Sequence, residues 1–158
     1  MLMKVLVIIV SYNFEPWIER CLGSLRLSKY PIDTVVIDNG SKDQTIQRIQ
    51  KDYPEIRLLP QNENLGFGRA NNIGMKIALI EGYDFVFLLN QDAWIDSNTI
   101  GKLVELSQSH PQYGIFSPVH LTGKGDKPDP GFGHYAQIQQ LSQLPEDEIL
   151  PIPFANAA

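Results

Sequence analysis

Residues 5–10 read VLVIIV, an uninterrupted apolar run near the start of a 158-residue chain. Two similar runs follow, TVVI at residues 34–37 and FVFLL at residues 85–89. A strand with one face in water alternates apolar and polar residues, whereas a strand covered on both faces of a parallel sheet is apolar throughout. The three runs therefore predict buried strands of a parallel sheet.

Segments with the apolar spacing of helices separate these strands. We predict Ser41 and Ser97 as N-caps of the second and fourth helices, and Gly82 as the end of the third. The order of strand and helix, repeated and then closed by a last strand, favours an open, doubly wound, mostly parallel α/β sheet. The predicted helices are residues 15–28, 41–53, 68–82 and 97–110, and the weaker strands are residues 55–60 and 113–119.

The composition is typical of a soluble globular domain, with 43% hydrophobic and 20% charged residues. The net charge of -5 and the lack of a Lys/Arg cluster argue against a surface that binds nucleic acid. Cys21, the only cysteine, has apolar neighbours at helical spacing, which predicts a buried thiol and a reducing compartment. No apolar run is long enough to span a bilayer, so we expect a cytoplasmic protein.

Polar residues directly follow three of the predicted strands. The carboxyl ends of parallel strands meet at one edge of a sheet, where ligands of open α/β proteins bind. We therefore expect these loops to converge on one ligand site. They contain Ser11, Tyr12 and Asn13 after the first strand, Asp38, Asn39, Ser41 and Asp43 after the second, and Asn90, Gln91 and Asp92 after the fourth.

Several ligand classes lack their sequence signature here. The loop SYNFEP after the first strand has no glycine, which argues against a dinucleotide dehydrogenase, and no Walker motif occurs. His110, His120 and His134 are scattered without the spacing of metal ligands, and His134 is expected to be a solvated loop residue. A site for a diphosphate, assisted by a metal, remains.

The triplet Asn90-Gln91-Asp92 fits such a site. Mg²⁺ uses one or two protein carboxylates, with phosphates and waters completing its shell. Residues two apart on a strand point to the same side, so Asn90 and Asp92 are expected to address the same cleft. In isolation the triplet is more typical of a turn; the apolar strand before it and the other two loops favour the functional interpretation.

Four stretches together resemble a known family: VIIVSYN, VVIDNGSKDQT, NENLGFGRANNIG and FVFLLNQDAWID. In order and spacing they are similar to the motifs of the inverting family 2 glycosyltransferases of GT-A fold, over residues 4–119. They are most similar to the branch with bacterial rhamnosyltransferases, whose metal motif often reads N-x-D. The resemblance implies a hexosyltransferase-type enzyme. Such enzymes bind a UDP- or dTDP-sugar with a divalent metal, Mn or Mg, and an acceptor hydroxyl displaces the diphosphate with inversion.

The resemblance implies roles for individual residues. Asp38 accepts a hydrogen bond from the imide nitrogen of the pyrimidine, and Asp92 coordinates the metal that bridges the phosphates. Asp43 and Thr45 organise the loop and the helix start. The remaining donor-binding residues are Ser11, Tyr12 and Asn13 beside the nucleoside, Asn64, Gly66 and Arg69 in the third stretch, Asn90 beside the ribose or sugar, and Gln91 next to it in the chain.

The same resemblance implies a division into a nucleotide-sugar-binding α/β domain, residues 1–119, and the loop-rich, incomplete start of an acceptor-side region, residues 120–158. The family's catalytic base follows a segment similar to PFANAA, so its identity is unknown and its position is expected beyond Ala158. The implied acceptor is a carbohydrate or a lipid-linked glycan at the inner face of a membrane. Peripheral membrane association is left open, as is self-association through Ile149, Ile152 and Phe154.

Two other functions stay open. One is a non-catalytic nucleotide-sugar-binding or assembly module. Such a module needs no catalytic base, so it is compatible with a base expected beyond this chain. A sugar-nucleotide nucleotidyltransferase shares the metal and the α/β sheet, but the loop SYNFEP lacks the Gly-rich phosphate loop of that class.

Overall fold

The computed structural model describes residues 2–144 and 149–150. Strands and helices alternate as predicted along the first hundred residues or so. In chain order the elements are β1 (Val5–Ser11), α1 (Ile18–Arg26), β2 (Asp33–Asp38), α2 (Thr45–Asp52), β3 (Arg57–Pro60), α3 (Phe67–Glu81), β4 (Phe85–Leu88), α4 (Thr99–Ser109), α5 (Pro130–Ala136) and a 3-10 turn (Leu141–Gln143).

The strands form one parallel sheet in the order β3-β2-β1-β4. Strand β1 lies inside the sheet and pairs with β2 up to Ser11 opposite Asp38. Val7 and Ile8 point to opposite faces of β1, and neither is exposed to solvent, so both faces are covered. This arrangement confirms the predicted open parallel α/β architecture. The predicted burial of β4 on both faces is wrong, because Val86 and Leu88 are 42% and 37% exposed on this last strand of the described sheet.

Helix α3 packs closely on the sheet. Ile8 of β1 and Ile37 of β2 form a core cluster with Ala70 and Ala78 of α3. A Cβ atom at Gly74 would lie only 2.6 Å from Ile8 Cγ2, so the missing side chain allows the helix to approach the strand. The helix ends, as predicted, before Gly82, which adopts φ +68°.

The chain divides into two compact units, Met1–Lys102 and Leu103–Ala158. The first unit contains the whole described sheet. The division falls inside α4, and the domain boundary expected after residue 119 stays a prediction. Among residues 2–144 and 149–150, no helix combines the length and the apolar character that crossing a bilayer requires.

The predicted last strand at residues 113–119 is wrong. The segment is not a strand, and Ile115 and Val119 are 76% and 40% exposed. A strand requires a neighbour that satisfies its backbone hydrogen bonds, and none of the described strands pairs with this segment. Apolar and β-branched residues favour a strand, but this composition does not by itself supply a strand to pair with.

The segment after residue 120, predicted to be a loop, contains helix α5. The Asp129 carboxylate accepts hydrogen bonds from the backbone N–H groups of Gly131 and Phe132, at 2.9 and 3.2 Å, and Pro130 occupies the first helical position. This cap and proline favour the helix despite its glycines. His134 is exposed, as expected, but lies on α5.

The start of α4 also differs from the prediction. The helix begins at Thr99, so Ser97 is not its N-cap. Instead Asp96 Oδ1 accepts a hydrogen bond from the backbone N–H of Asn98 at 2.9 Å. Ser and Asp are both favoured at helix starts because their side chains accept hydrogen bonds from backbone N–H groups. The sequence alone does not decide whether Asp96 or Ser97 accepts such a bond here.

Candidate functional site

Asp38 joins the carboxyl ends of β1 and β2. Its Oδ1 accepts a hydrogen bond from Ser11 Oγ at 2.9 Å and another from Ser41 Oγ, and its Oδ2 accepts one from the Ser41 backbone N–H at 2.9 Å. Asp38 and Ser11 have no exposed surface. The carboxylate therefore organises the loop after β2, and its direct contact with a base stays a prediction.

Ser41 is not the N-cap of α2, contrary to the sequence prediction. The helix begins at Thr45, and Ser41 Oγ lies in the loop, where it accepts a hydrogen bond from the Asn13 N–H at 2.8 Å. Asp43 instead binds the helix start, since its Oδ1 accepts from the Thr45 N–H at 3.0 Å and from Thr45 Oγ1 at 2.6 Å. These contacts agree with the organising role expected for Asp43 and Thr45.

The pKa of Asp43 reflects the same contacts. Burial raises this pKa, but the hydrogen bonds from Thr45 and from the backbone of Glu15 outweigh burial and lower it below its ordinary value. The side chain is therefore ionised at neutral pH. An ionised carboxylate is the stronger acceptor for the N–H groups at the start of a helix.

The loops after β1 and β2 are hydrogen-bonded to each other. Asn13 Oδ1 accepts from the Lys42 N–H at 2.9 Å, and Asp43 Oδ2 accepts from the Glu15 N–H at 3.1 Å. Asn13 adopts φ +50°, a conformation in which Asn is favoured over most residues. The predicted nucleoside-binding loop is thus held in one shape by its neighbour.

Gln91 connects β1 to the loop after β4. Its Oε1 accepts a hydrogen bond from the Tyr12 N–H at 2.8 Å, and its Nε2 donates one to the Tyr12 carbonyl at 3.2 Å. The Tyr12 residue is 45% exposed. Gln91 therefore holds the β1 loop through its backbone and leaves the phenol ring of Tyr12 accessible.

The loop with Asp92 lies against helix α1. The Ala93 N–H donates to the Asn90 carbonyl at 3.1 Å, which closes a turn, and Cys21 Sγ lies 3.8 Å from the same carbonyl. Burial and then the Asp92 carboxylate raise the pKa of the Cys21 thiol to about 12. The thiol is buried, as predicted, while Asp92 itself is exposed.

The third stretch contacts the β2 loop through backbone groups. The Leu65 N–H donates to Asn39 Oδ1 at 3.3 Å, and the Gly66 N–H donates to Asn64 Oδ1 at 2.8 Å. Gly66 has φ +78°, a conformation that glycine adopts without strain. Arg69 follows on the first turn of α3 and is exposed.

The structure thus brings the predicted residues to one edge of the sheet. Strand β1 lies between β2 and β4, and its last residues contact Asp38 on one side and Gln91 on the other. The loops that contain Asp38 and Asp92 therefore follow strands on either side of β1, at the same edge of the sheet. Sequence reasoning missed the links made by Asn39 and Ser41; the three-residue spacing of Asp38 and Ser41, typical of local side-chain to backbone bonds, was the available signal.

The described residues fit a metal only if the ligand completes its shell. No group of three or more His, Cys, Asp or Glu side chains in residues 2–144 and 149–150 is arranged to hold a metal ion. Asp92 is an exposed carboxylate beside the neutral side chains of Asn90 and Gln91. Such a donor set fits Mg²⁺ or Mn²⁺ bound to phosphate oxygens, because these ions accept few protein ligands in nucleotide sites.

A groove of about 740 Å³ lies beside the hydrogen-bonded loops and has charged residues of both signs. The groove shares Asn13 and Asp43 with the strand-end loops, but Tyr12, Gln91 and Asp92 are not among its lining residues. Its lining residues are Asn13, Glu15, Pro16, Glu19, Lys42, Asp43 and Arg48. We assign the candidate site to the cluster, since polar groups from separate strands meet there.

A parallel sheet with polar loops collected at its carboxyl edge defines an α/β protein of nucleotide-binding type. The chain belongs to glycosyl transferase family 2, whose family model matches residues 6–151. It is 33% identical over 147 residues to the N-acetylglucosaminyl-diphospho-decaprenol L-rhamnosyltransferase of Mycobacterium tuberculosis, an alignment that covers 87% of this chain and 46% of that protein. The resemblance to this family and its rhamnosyltransferase members is confirmed.

Solved structures show the same fold. TarS from Staphylococcus aureus in complex with UDP-GlcNAc superimposes with a TM-score of 0.62 and 29% identity, covering 69% of this chain and 32% of that chain. The mannosyltransferase PcManGT from Pyrobaculum calidifontis, in complex with GDP-Man and Mn²⁺, gives a TM-score of 0.58 and 27% identity, covering 66% and 32%. The chain spans about half the length of the curated rhamnosyltransferase and about a third of these solved chains.

Proposed function

We propose that this chain binds a UDP- or dTDP-linked sugar and forms the donor-binding part of an inverting glycosyltransferase. The observation that carries the proposal is the meeting of the Tyr12, Asp38 and Asp92 loops at one sheet edge, in a chain of glycosyl transferase family 2. TarS, whose solved structure contains UDP-GlcNAc, supports a uridine nucleotide. The proposal also includes a dTDP-sugar, because the resemblance to the family implies UDP- or dTDP-linked donors.

In this proposal the nucleoside lies on the loop after β1. The exposed ring of Tyr12 offers a face for stacking, and Asn13 borders the base. Ser11 and Asp38 are buried and hold this loop in place. The proposal keeps the predicted hydrogen bond from the imide N–H of the pyrimidine to Asp38. A pyrimidine base is then selected by polar groups on a surface that is already ordered.

The diphosphate lies between the third stretch and the loop after β4. Gly66 has no side chain to block the approach of the backbone, and in this proposal the exposed Arg69 binds the base or a phosphate. Asp92 holds the divalent cation, Mn or Mg, and Asn90 lies beside the ribose or sugar. Gln91 contributes to donor binding by holding Tyr12, whose backbone its amide binds. When bound, the cation stabilises the negative charge that develops on the leaving nucleoside diphosphate.

Transfer also needs a base and an acceptor. We place the base, which takes the proton of the acceptor hydroxyl, beyond Ala158, as the resemblance implies. The name of the Mycobacterium tuberculosis relative includes a diphospho-decaprenol, which supports a lipid-linked acceptor. Its place at the inner face of a membrane is part of the proposal that rests on the resemblance alone. Of the residues expected to mediate self-association, Ile149 is half-buried, and Ile152 and Phe154 lie outside the described residues.

Titration calorimetry with UDP, dTDP, GDP and ADP, each in Mn²⁺ and in EDTA, tests the proposal. We expect UDP or dTDP to bind in Mn²⁺, and Asp92→Ala to weaken this binding by roughly ten- to a hundredfold. Asp52→Asn removes one exposed carboxylate charge at the far end of α2 and is the matched control. Failure of both UDP and dTDP to bind would overturn the proposal, whether or not GDP or ADP binds.

Donor binding and transfer are separate steps, so they need separate measurements. Binding of UDP or dTDP by this chain, with no transfer by the longest natural form of the protein that contains it, would favour the non-catalytic module. Release of nucleoside diphosphate only when an acceptor is added would favour the transferase. The anomeric configuration of the product then tests inversion.

A further inference from the structure

One face of helix α1 contacts both ends of the loop that contains Asp92. The Arg20 guanidinium carbon lies 3.3 Å from the centroid of the Trp94 ring. Ser24 Oγ, one turn further along the helix, accepts a hydrogen bond from the Ile95 N–H at 3.2 Å. With the contact between Cys21 and the Asn90 carbonyl, the helix touches the segment 90–95 before and after Asp92.

The contact between Arg20 and Trp94 is suited to fixing a loop. A guanidinium is planar and stacks on an indole, whose face carries negative charge density, and the indole is the strongest partner for such cations. Trp94 is 36% exposed, so the ring is only partly covered by the protein, and Arg20 stacks on it. Gln91 fixes the start of the loop to Tyr12, and Arg20 fixes its end to α1.

We propose that Arg20 is a positioning residue, which stacks on Trp94 and thereby holds the segment 90–94 with Asp92 directed at the donor diphosphate. This inference rests on the proposed donor-binding function. A loop that must be ordered by the ligand costs affinity, and a displacement of about 1 Å at a metal-binding carboxylate disturbs the geometry that phosphate and cation require. Without the stack, the nucleotide affinity measured with the metal present should therefore fall more than the affinity measured without metal.

The stack itself is tested by fluorescence. The chain has two tryptophans, so Trp17→Phe leaves Trp94 as the sole indole reporter. In this background we expect Arg20→Ala to shift the emission of Trp94 and to increase its quenching by acrylamide. Arg26→Ala is the matched control, because Arg26 lies on the same helix over the ring of Tyr53, at 4.1 Å, away from the loop.

Calorimetry with UDP, in Mn²⁺ and in EDTA, tests the positioning role, with dTDP as the second probe. We expect Arg20→Ala to weaken Mn²⁺-dependent binding by about tenfold, to leave binding in EDTA unchanged, and to keep the wild-type circular dichroism spectrum. Arg20→Lys, which keeps the charge but not the planar stack, should restore only part of the loss. Arg26→Ala should change neither affinity.

The outcomes separate this inference from the proposed function. If wild type binds UDP or dTDP and Arg20→Ala binds equally well in Mn²⁺, the positioning role is overturned and donor binding stands. An equal loss in Mn²⁺ and in EDTA also overturns it, since it indicates a general disturbance of the site. If wild type binds neither nucleotide, the proposed function and the positioning role are both overturned.

Discussion

The side-chain amide of Gln91 satisfies both backbone polar groups of Tyr12, with its oxygen 2.8 Å from the Tyr12 nitrogen and its nitrogen 3.2 Å from the Tyr12 oxygen. Such a paired contact copies the pattern by which one strand binds its neighbour. It extends the junction of β1 and β4 beyond the last residues of the sheet. The exposed ring of Tyr12 and the carboxylate of Asp92 consequently belong to one connected structure.

Replacing Gln91 should reduce donor affinity more than stability. In Gln91→Ala the Tyr12 backbone groups become accessible to water, so we expect a loss of about 1 kcal/mol or less in the free energy of unfolding. Affinity for UDP in Mn²⁺ should fall by about tenfold, because the ligand must then order the β1 loop. Urea unfolding and calorimetry measure the two effects. Gln50→Ala, at an exposed position on α2, is the control, and an equal effect of both variants would contradict the prediction.

Replacing Asp38 should lower stability strongly. In Asp38→Asn the amide N–H₂ meets either the Ser41 backbone N–H or the Ser11 and Ser41 hydroxyls, which must then accept instead of donate, and we expect this loss of buried hydrogen bonds to cost about 1–3 kcal/mol of unfolding free energy. Asp33→Asn changes the same residue type at the exposed start of β2 and should cost less than about 1 kcal/mol. Urea unfolding at neutral pH compares them. If the Asp38→Asn variant has the same free energy of unfolding as wild type, the buried carboxylate is not required to stabilise the loop.

The Cys21 thiol should make stability fall at alkaline pH. Burial, with a further contribution from Asp92, raises its pKa from 9.0 to about 12, so the folded protein keeps a proton that the unfolded chain releases. The contribution is therefore complete below about pH 9 and is lost as the pH rises toward about 12, at roughly 1.4 kcal/mol per pH unit. The measurement is the difference in unfolding free energy between wild type and Cys21→Ala across this range, which cancels other titrating groups. A difference independent of pH would contradict the prediction.

Gly74 and Gly68 should respond to alanine with opposite signs. A Cβ atom at Gly74 meets Ile8 at 2.6 Å, so Gly74→Ala should push α3 from β1 and cost about 1–3 kcal/mol. At Gly68, on the same helix, no atom lies within 4 Å of the added Cβ, and Gly68→Ala should gain about 0.5–1 kcal/mol of stability. Urea unfolding distinguishes them. Equal effects would show that helix propensity, rather than packing on Ile8, decides both positions.

The sequence predicted the elements whose signals are local. The run containing Val7 and Ile8 identified β1 because burial on both faces leaves no polar position, and Gly82 marked the end of α3 because glycine adopts a left-handed conformation without strain. The grouping of the strand-end loops also followed, since the parallel order of strands places their carboxyl ends together.

The failures concern features that depend on tertiary neighbours. Ile115 belongs to a segment with strand composition that has no partner among the described strands. Ser41 has the composition of a helix cap, but the buried Asp38 carboxylate binds its hydroxyl instead. The stack of Arg20 on Trp94 joins residues far apart in the chain, so no local pattern marks it.

The hydrogen bonds that connect the loops after β1 and β2 have a kinetic consequence. Folding, rather than ligand, supplies the ordering of Asn13 and its neighbours, since Ser41 and Lys42 bind them already. A nucleotide that reaches this surface finds its binding partners in place and does not wait for the backbone to rearrange. Competing nucleotides should then arrive at similar rates, and the residence time of each complex should decide which one the protein retains.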